Sequence, residues 1–274
     1  MVLGICTNMN ARSPLDLGLD QVPYCRELGL EYVEFSVDRI MAYSDTRFEA
    51  LRKALSESPL PCLACNNFID PGVRLVGNEY DQPRSEAYIV RALERISALG
   101  ARKVVFGSAK ARSIPSYVSA EEGRKQILER LRFIAGAAEK HGIEVEIEHL
   151  NRTECNVINT FEESVAIAKE LNRPNVKSIF DSYHFEVSGE RTELIRQNEA
   201  WIGHMHFACT MGRHMPDLED AKSMTPLFSI LRDCTYDDTF SIEAYFPNHE
   251  MDDLSFQAPV AYIRDILNGK KEQL

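Results

Sequence analysis

Apolar residues along this chain alternate between two patterns. Short runs rich in β-branched and aromatic residues recur at 3–6, 32–37, 62–66, 103–107, 143–149, 176–181, 202–207 and 240–245. Longer segments with helical spacing lie between them. Within 86–99, Ala87, Ile89, Val90, Leu93, Ile96 and Leu99 fall mainly on one helical face, and Gly100 supplies a stop. Residues 121–141 repeat the pattern with Ile127, Leu128, Leu131, Ile134 and Ala137, ending at Gly142. Thr160 with Glu163 has the N-cap and third-position glutamate of a capping box, opening a helix toward Leu171. A last helix is predicted over 256–267, followed by a polar tail, 268–274, that frays.

Strand runs alternating with helices predict an α/β fold, and eight of them predict a single closed (β/α)8 TIM barrel spanning 1–274. No linker, low-complexity tract or solenoid-length repeat divides the chain. The longest irregular stretches, 69–83, 108–119 and 208–224, each follow a strand. That is the side on which such barrels carry their active sites.

Composition narrows the function. A 44% hydrophobic content suits one large core, and a formal charge of −11 opposes binding to a phosphate backbone, so no nucleic-acid partner is expected. No uninterrupted apolar stretch is long enough for a bilayer, and no signal peptide is expected ahead of residues 1–6. Seven scattered cysteines, an odd number, suit free thiols in a cytoplasmic, reducing setting. Cys62 and Cys65 form a C-x-x-C without a second pair. As strand residues three apart they are expected to face opposite sides and to serve packing.

Four predicted strands end in residues able to hold a divalent cation: Glu148, Asp181, His206 and Glu243. A single acid at a strand end ordinarily caps a helix or pairs with a surface charge. Four on consecutive strands converge on one axis if the barrel closes. Three carboxylates and one imidazole suit one Mn²⁺, Mg²⁺ or Co²⁺ ion, Mn²⁺ foremost, better than a thiolate-bound metal.

The segments Glu148-His149-Leu150-Asn151-Arg152-Thr153-Glu154, Asp181-Ser182-Tyr183-His184, Gly203-His204-Met205-His206, Arg213-His214-Met215-Pro216 and Ser241-Ile242-Glu243 resemble the xylose-isomerase-like TIM-barrel superfamily, and within it the ketose 3-epimerases. Weaker echoes lie in Cys65-Asn66-Asn67-Phe68 and Phe106-Gly107-Ser108. The resemblance implies that Glu148 and Glu243 bind metal and exchange protons with the substrate, with Asp181 and His206 as the remaining ligands. It implies substrate contacts for Glu154, His184 and Arg213. Epimerisation beside a carbonyl needs removal of a weakly acidic proton, a Lewis acid for the resulting negative charge, and carboxylates on both faces of the carbon. The expected partner is a small sugar or keto-polyol, with no membrane association and assembly as a homodimer or homotetramer. No Gly-rich phosphate cradle is present, which favours an unphosphorylated substrate.

One segment departs from the epimerase pattern. His206 is followed by Phe207-Ala208-Cys209 rather than by a small residue and an acid, so the loop that reads the substrate is altered. His204 is expected inward but deeper than His206, and His149 under a helix. His141 is placed at a helix C-terminus, and His214 and His249 in loops. Glu146 is expected to meet an inward cation such as Lys177, and Glu144 to lie at the solvated bottom rim. The competing readings are an aldose–ketose or hydroxypyruvate-type isomerase, an inosose or dehydroshikimate dehydratase, an endonuclease IV-like nuclease with extra histidines at strand ends, and a non-catalytic sugar-binding barrel.

Overall fold

Alternate residues of each strand carry the apolar side chains that build the core. Leu3 and Ile5, Val33 and Phe35, Val104 and Phe106, Val145 and Ile147, Met205 and Phe207, and Phe240 and Ile242 are all buried in one hydrophobic cluster with the helices. Removing one of these rings, as in Phe240→Ala, costs about 3–5 kcal/mol. The computed structural model, which describes residues 1–269, closes these strands into a parallel barrel in sequence order. They are β1 (Val2–Cys6), β2 (Tyr32–Ser36), β3 (Cys62–Asn66), β4 (Lys103–Phe106), β5 (Glu144–Ile147), β6 (Val176–Asp181), β7 (Ile202–Phe207) and β8 (Thr239–Ile242), with β8 pairing back onto β1. The chain is thus a (β/α)8 barrel, as its patterning predicts.

Element ends differ from the sequence reading by a residue or more. β5 stops at Ile147 and β8 at Ile242, so Glu148 and Glu243 stand just past their strands. Their N–H groups still donate to the neighbouring strands, at Phe106 O (3.3 Å) and Phe207 O (2.8 Å). Val37 leaves β2 and opens the helix Val37–Met41. The helices predicted over 86–99 and 121–141 run as Gln82–Ala98 and Ala120–Glu139, capped by Asp81 and Ser119. Thr160 caps Phe161–Leu171 as expected, but the Glu163 carboxylate accepts from Asn159 N–H, one residue before the cap. A full capping box forms instead at Asp217 and Asp220, opening Leu218–Ser223 within a stretch read as irregular. The final helix is Gln257–Leu267, and beyond Gly269 the expected frayed tail falls outside the described residues. Among the described residues, no helix is long and apolar enough to cross a membrane.

Two register shifts change side-chain direction. Val33 pairs with Cys62 but Glu34 pairs with Ala64, so β3 has an extra residue there. The bulge reverses the strand's parity and puts Cys62 and Cys65 on one side, their sulfurs 3.8 Å apart, contrary to the opposite facing expected from strict alternation. Both thiols are buried and free. The second shift skips Gly203 between β6 and β7. A Cβ there would come within 2.3 Å of the Glu146 carboxylate, so only glycine leaves room for that acid.

The inside of the barrel is unusually polar. Tyr32, Glu34, Lys103, Glu146, Asp181, His204, His206, Thr239 and Ser241 are all buried, where many barrels hold layers of branched apolar residues. Glu146 does not meet Lys177, whose ammonium donates instead to Ala200 O at 2.7 Å. The inward cation is Lys103, which donates to Gly203 O and Asp238 Oδ2, both at 2.6 Å. Neither Glu146 oxygen has a hydrogen-bond partner among the described residues. Burial pushes its pKa up to about 8, only partly offset by Lys103.

A raised carboxyl pKa stabilises the fold below the unfolded value near 4.5, and that contribution is lost as pH rises toward 8. Glu146→Gln should therefore gain stability relative to the native protein between about pH 5 and 8, on the order of 2–5 kcal/mol at the upper end. Urea melts at the two pH values measure this. Parallel pH profiles for the two proteins would show that Glu146 does not titrate in that window.

Candidate active site

The carboxyl ends of β5 to β8 bring Glu148, Asp181, His206 and Glu243 together, with one ligand atom from each within 4.8 Å of the others. His206 Nδ1 lies 3.5 Å from Glu148 Oε1, 3.8 Å from Asp181 Oδ2 and 3.2 Å from Glu243 Oε2. All four residues are buried. Each is shaped by its element. Asp181 caps the helix Ser182–Val187 through Oδ1, which accepts from His184 N–H at 2.9 Å, leaving Oδ2 turned to the cluster. Glu148 occupies the space above Gly107, where a Cβ would approach its Oε2 to 2.0 Å.

Two buried atoms of the quartet, Asp181 Oδ2 and His206 Nδ1, have no hydrogen-bond partner among the described residues. Both are good donors to a metal, and leaving them bare costs free energy. Three carboxylates at this spacing also repel one another without a cation. The donor set, its burial and these two atoms all fit one divalent ion with oxygen and nitrogen ligands.

Arg213 supplies positive charge from the loop after β7. Its Nη2 donates to Glu243 Oε2 and lies 3.8 Å from Asp181 Oδ2, while Nη1 lies 3.9 Å from Glu154 Oε1. Its guanidinium lies 4.7 Å from the centre of the Tyr183 ring. Its backbone is left-handed, φ 49°, which is strained for an arginine and places the side chain over the cluster.

The two glutamates are pushed apart electrically. Burial raises the Glu148 pKa, and the carboxylates of Glu243 and Asp181 add to this, against the pull of the nearby His206 imidazole. Burial also raises Glu243, but Arg213 and His206 outweigh it and hold its pKa below the usual carboxylate range. Asp181 is likewise held down to about 2 by His184, Arg213 and His206 in spite of its burial.

Of the three residues expected at the substrate, Arg213 reaches the quartet and Glu154 lies in line behind it. His184 is fully buried, and its Nδ1 faces Asn151 N at 3.2 Å and Asn151 Nδ2 at 3.0 Å, leaving only Nε2 for another partner. Asn151 Nδ2 also donates to Glu154 Oε1 at 2.9 Å, so one amide holds both residues. The sequence reading missed Asn151 and Tyr183 as site residues, although both lie inside its motifs.

It also missed Glu34, the acid within Tyr32-Val33-Glu34-Phe35. A charge in the middle of an apolar strand run was the available signal. Glu34 Oε1 is 3.0 Å from His206 Nε2, and Oε2 is 2.9 Å from His204 Nε2 and 2.6 Å from Ser241 Oγ. His204 thus points inward below His206, as its parity predicts. His149 lies against Phe161 under the helix Phe161–Leu171, with burial driving its pKa down to about 3. His214 remains in a loop, bonded to Asp220 at 3.0 Å.

A family model described as "Xylose isomerase-like TIM barrel" matches residues 22–266. A 2-oxo-tetronate isomerase of Cupriavidus necator is 32% identical over 152 residues, covering 54% of this chain and 57% of that protein. The chain thus spans just over half the length of that relative. An inosose isomerase of Bacillus velezensis is 24% identical over 261 residues, covering 88% of this chain and 86% of that protein. Among solved structures, a D-psicose 3-epimerase with D-tagatose from Clostridium cellulolyticum H10 superimposes with a TM-score of 0.82 at 20% identity, over 97% of this chain and 99% of that one.

Proposed function

This chain belongs to the xylose isomerase-like TIM-barrel family, and on that premise we propose that it is a divalent-metal-dependent epimerase of a small, unphosphorylated ketose. Its enzyme class is that of the isomerases and epimerases it resembles. The observation that carries the reading is the pair Glu148 and Glu243, both within 3.5 Å of the same imidazole nitrogen and both lining one ligand cluster. Glu148, Asp181, His206 and Glu243 would hold the ion, with Mn²⁺ foremost and Mg²⁺ or Co²⁺ as substitutes. Bound there, it would supply Lewis acidity for the negative charge that develops on the substrate oxygens.

The chain's own residues supply the rest. Glu243, paired with Arg213, takes a proton from the carbon beside the carbonyl, and Glu148 returns one to the other face. In the reverse direction the roles exchange. Arg213 and Glu154 bind sugar hydroxyls, the guanidinium donating and the carboxylate accepting. His184 can donate only through Nε2 while Asn151 holds Nδ1, which fixes the direction of its hydrogen bond. All seven cysteines are buried free thiols, in keeping with a cytoplasmic setting.

The second reading is an aldose–ketose or keto-acid isomerase, favoured by the relatives named as isomerases. Nothing favours the nuclease, since the ends of β1 to β4 carry Cys6, Ser36, Asn66 and Phe106 and no histidine. A panel of ketoses incubated in D₂O with the metal-loaded protein tests the proposal. Deuterium beside the carbonyl in both members of an epimer pair is expected. An aldose product would establish the isomerase, loss of water a dehydratase, and no exchange on any ketose would overturn both proton-transfer readings.

Arg213→Ala should keep the metal and raise KM roughly tenfold or more, the scale of one lost charge-assisted hydrogen bond, about 1.5–3 kcal/mol. Steady-state kinetics with the substrate found in that panel measure it. An unchanged KM would return Arg213 to a counter-charge for Glu243 alone.

A further inference from the structure

We propose that Glu34 is the positioning residue that sets the tautomer of His206, so that Nδ1 presents its lone pair to the metal. The inference rests on the metal reading above and extends it to a side chain on the opposite wall of the barrel.

The hydrogen-bond directions follow from chemistry. Glu34 turns its two carboxylate oxygens to three neighbouring groups, and a carboxylate can only accept. Its contacts are Ser241 Oγ at 2.6 Å, His204 Nε2 at 2.9 Å and His206 Nε2 at 3.0 Å. Each of the three must therefore donate. Ser241, having given its hydrogen to Glu34, accepts from Tyr32 OH at 2.6 Å. His204 turns Nε2 to Glu34, and its Nδ1 lies 2.7 Å from Thr239 Oγ1 and 3.1 Å from Thr239 O.

The consequence for His206 is specific. With hydrogen on Nε2, the neutral ring has its lone pair on Nδ1, the nitrogen that faces Glu148, Asp181 and Glu243 and has no hydrogen-bond partner among the described residues. Cys6 Sγ, 3.8 Å from Nε2, is too weak an acceptor to fix the ring. Glu34 does so, and its negative charge makes the ring a stronger donor to a cation. A carboxylate behind a metal-binding imidazole typically contributes 10–100-fold in metal affinity.

Glu34→Gln keeps the shape but offers one acceptor oxygen to three donors. Where its amide faces His206, Nε2 must accept and the hydrogen moves to Nδ1, blocking the lone pair. The test titrates Mn²⁺ into native, Glu34→Gln and Ser241→Ala proteins by calorimetry, with ¹⁵N shifts of His206 recorded before metal at a pH high enough for the ring to be neutral. The native chain should bind one ion with the His206 hydrogen on Nε2. Glu34→Gln should bind about 10–100-fold more weakly and show hydrogen shifted to Nδ1. Ser241→Ala, which removes one anchor of Glu34, should weaken binding less, in the same direction, and decides the matter if Glu34→Gln does not fold. A role limited to stability would lower the melting temperature of the metal-free variants and leave affinity and tautomer unchanged; that result overturns the inference. If the native protein binds no ion, the metal reading itself fails.

Discussion

Glu148→Gln and Glu243→Gln should each lower turnover at least about 10²-fold while the ion stays bound. An amide oxygen can still coordinate, but it no longer accepts a proton as a carboxylate does. Alanine would confuse lost metal with lost proton transfer. The two variants should also differ from each other, because the remaining glutamate works on one face of the substrate carbon. Each should incorporate solvent deuterium into only one of the two epimers, and not the same one, as read by NMR of the recovered sugars. Exchange of the same hydrogen of the same epimer in both variants would establish an isomerase that uses one face. Normal turnover in either, with metal retained, would contradict the two-base mechanism.

Removal of the ion should be as damaging. Chelation of the native protein should lower activity by about 10³-fold or more, since the Lewis acid contributes several kcal/mol at the transition state. Mn²⁺ should restore it. Asp181→Ala and His206→Ala each remove a quarter of the ligand set and should not recover at the same Mn²⁺ concentration. Binding stabilises as well: at 100 times Kd an ion contributes about 2.7 kcal/mol. For a chain of this size that raises the melting temperature by about 5 °C. Full activity after exhaustive chelation, with no ion left by elemental analysis, would rule out the metal role.

The barrel was legible because its cause is periodic. Outward residues such as Val33 and Phe35 or Phe240 and Ile242 alternate along each strand, and the helices between carry one apolar stripe. The clustering of Glu148, Asp181, His206 and Glu243 was legible for a related reason: closure of the barrel converts four positions at strand ends into neighbours in space. Departures from periodicity were not readable. The extra residue in β3 reverses the facing of Cys62 relative to Cys65, and nothing in Leu60-Pro61-Cys62-Leu63-Ala64-Cys65 marks it. The partner of Glu146 was misassigned because Lys177 has the right parity but sits at the rim, where its long side chain reaches a carbonyl outside.

Glu34 was missed for a different reason. Its role depends on His204, His206 and Ser241, which lie some 170 to 207 residues away in the chain and meet it only across the barrel. Sequence order carries no trace of such a meeting. Asn151 was overlooked because the resemblance assigned Glu154 and His184 individually, whereas one amide orients both.

Anomalous diffraction from crystals soaked in Mn²⁺ tests the central claim most directly. The account predicts one strong peak per chain, bonded to Glu148, Asp181 and Glu243 oxygens and to His206 Nδ1 at about 2.0–2.3 Å, the range for such ligands. A peak at another position, or none at millimolar Mn²⁺ with Arg213 still paired to Glu243 and Asp181, would contradict it.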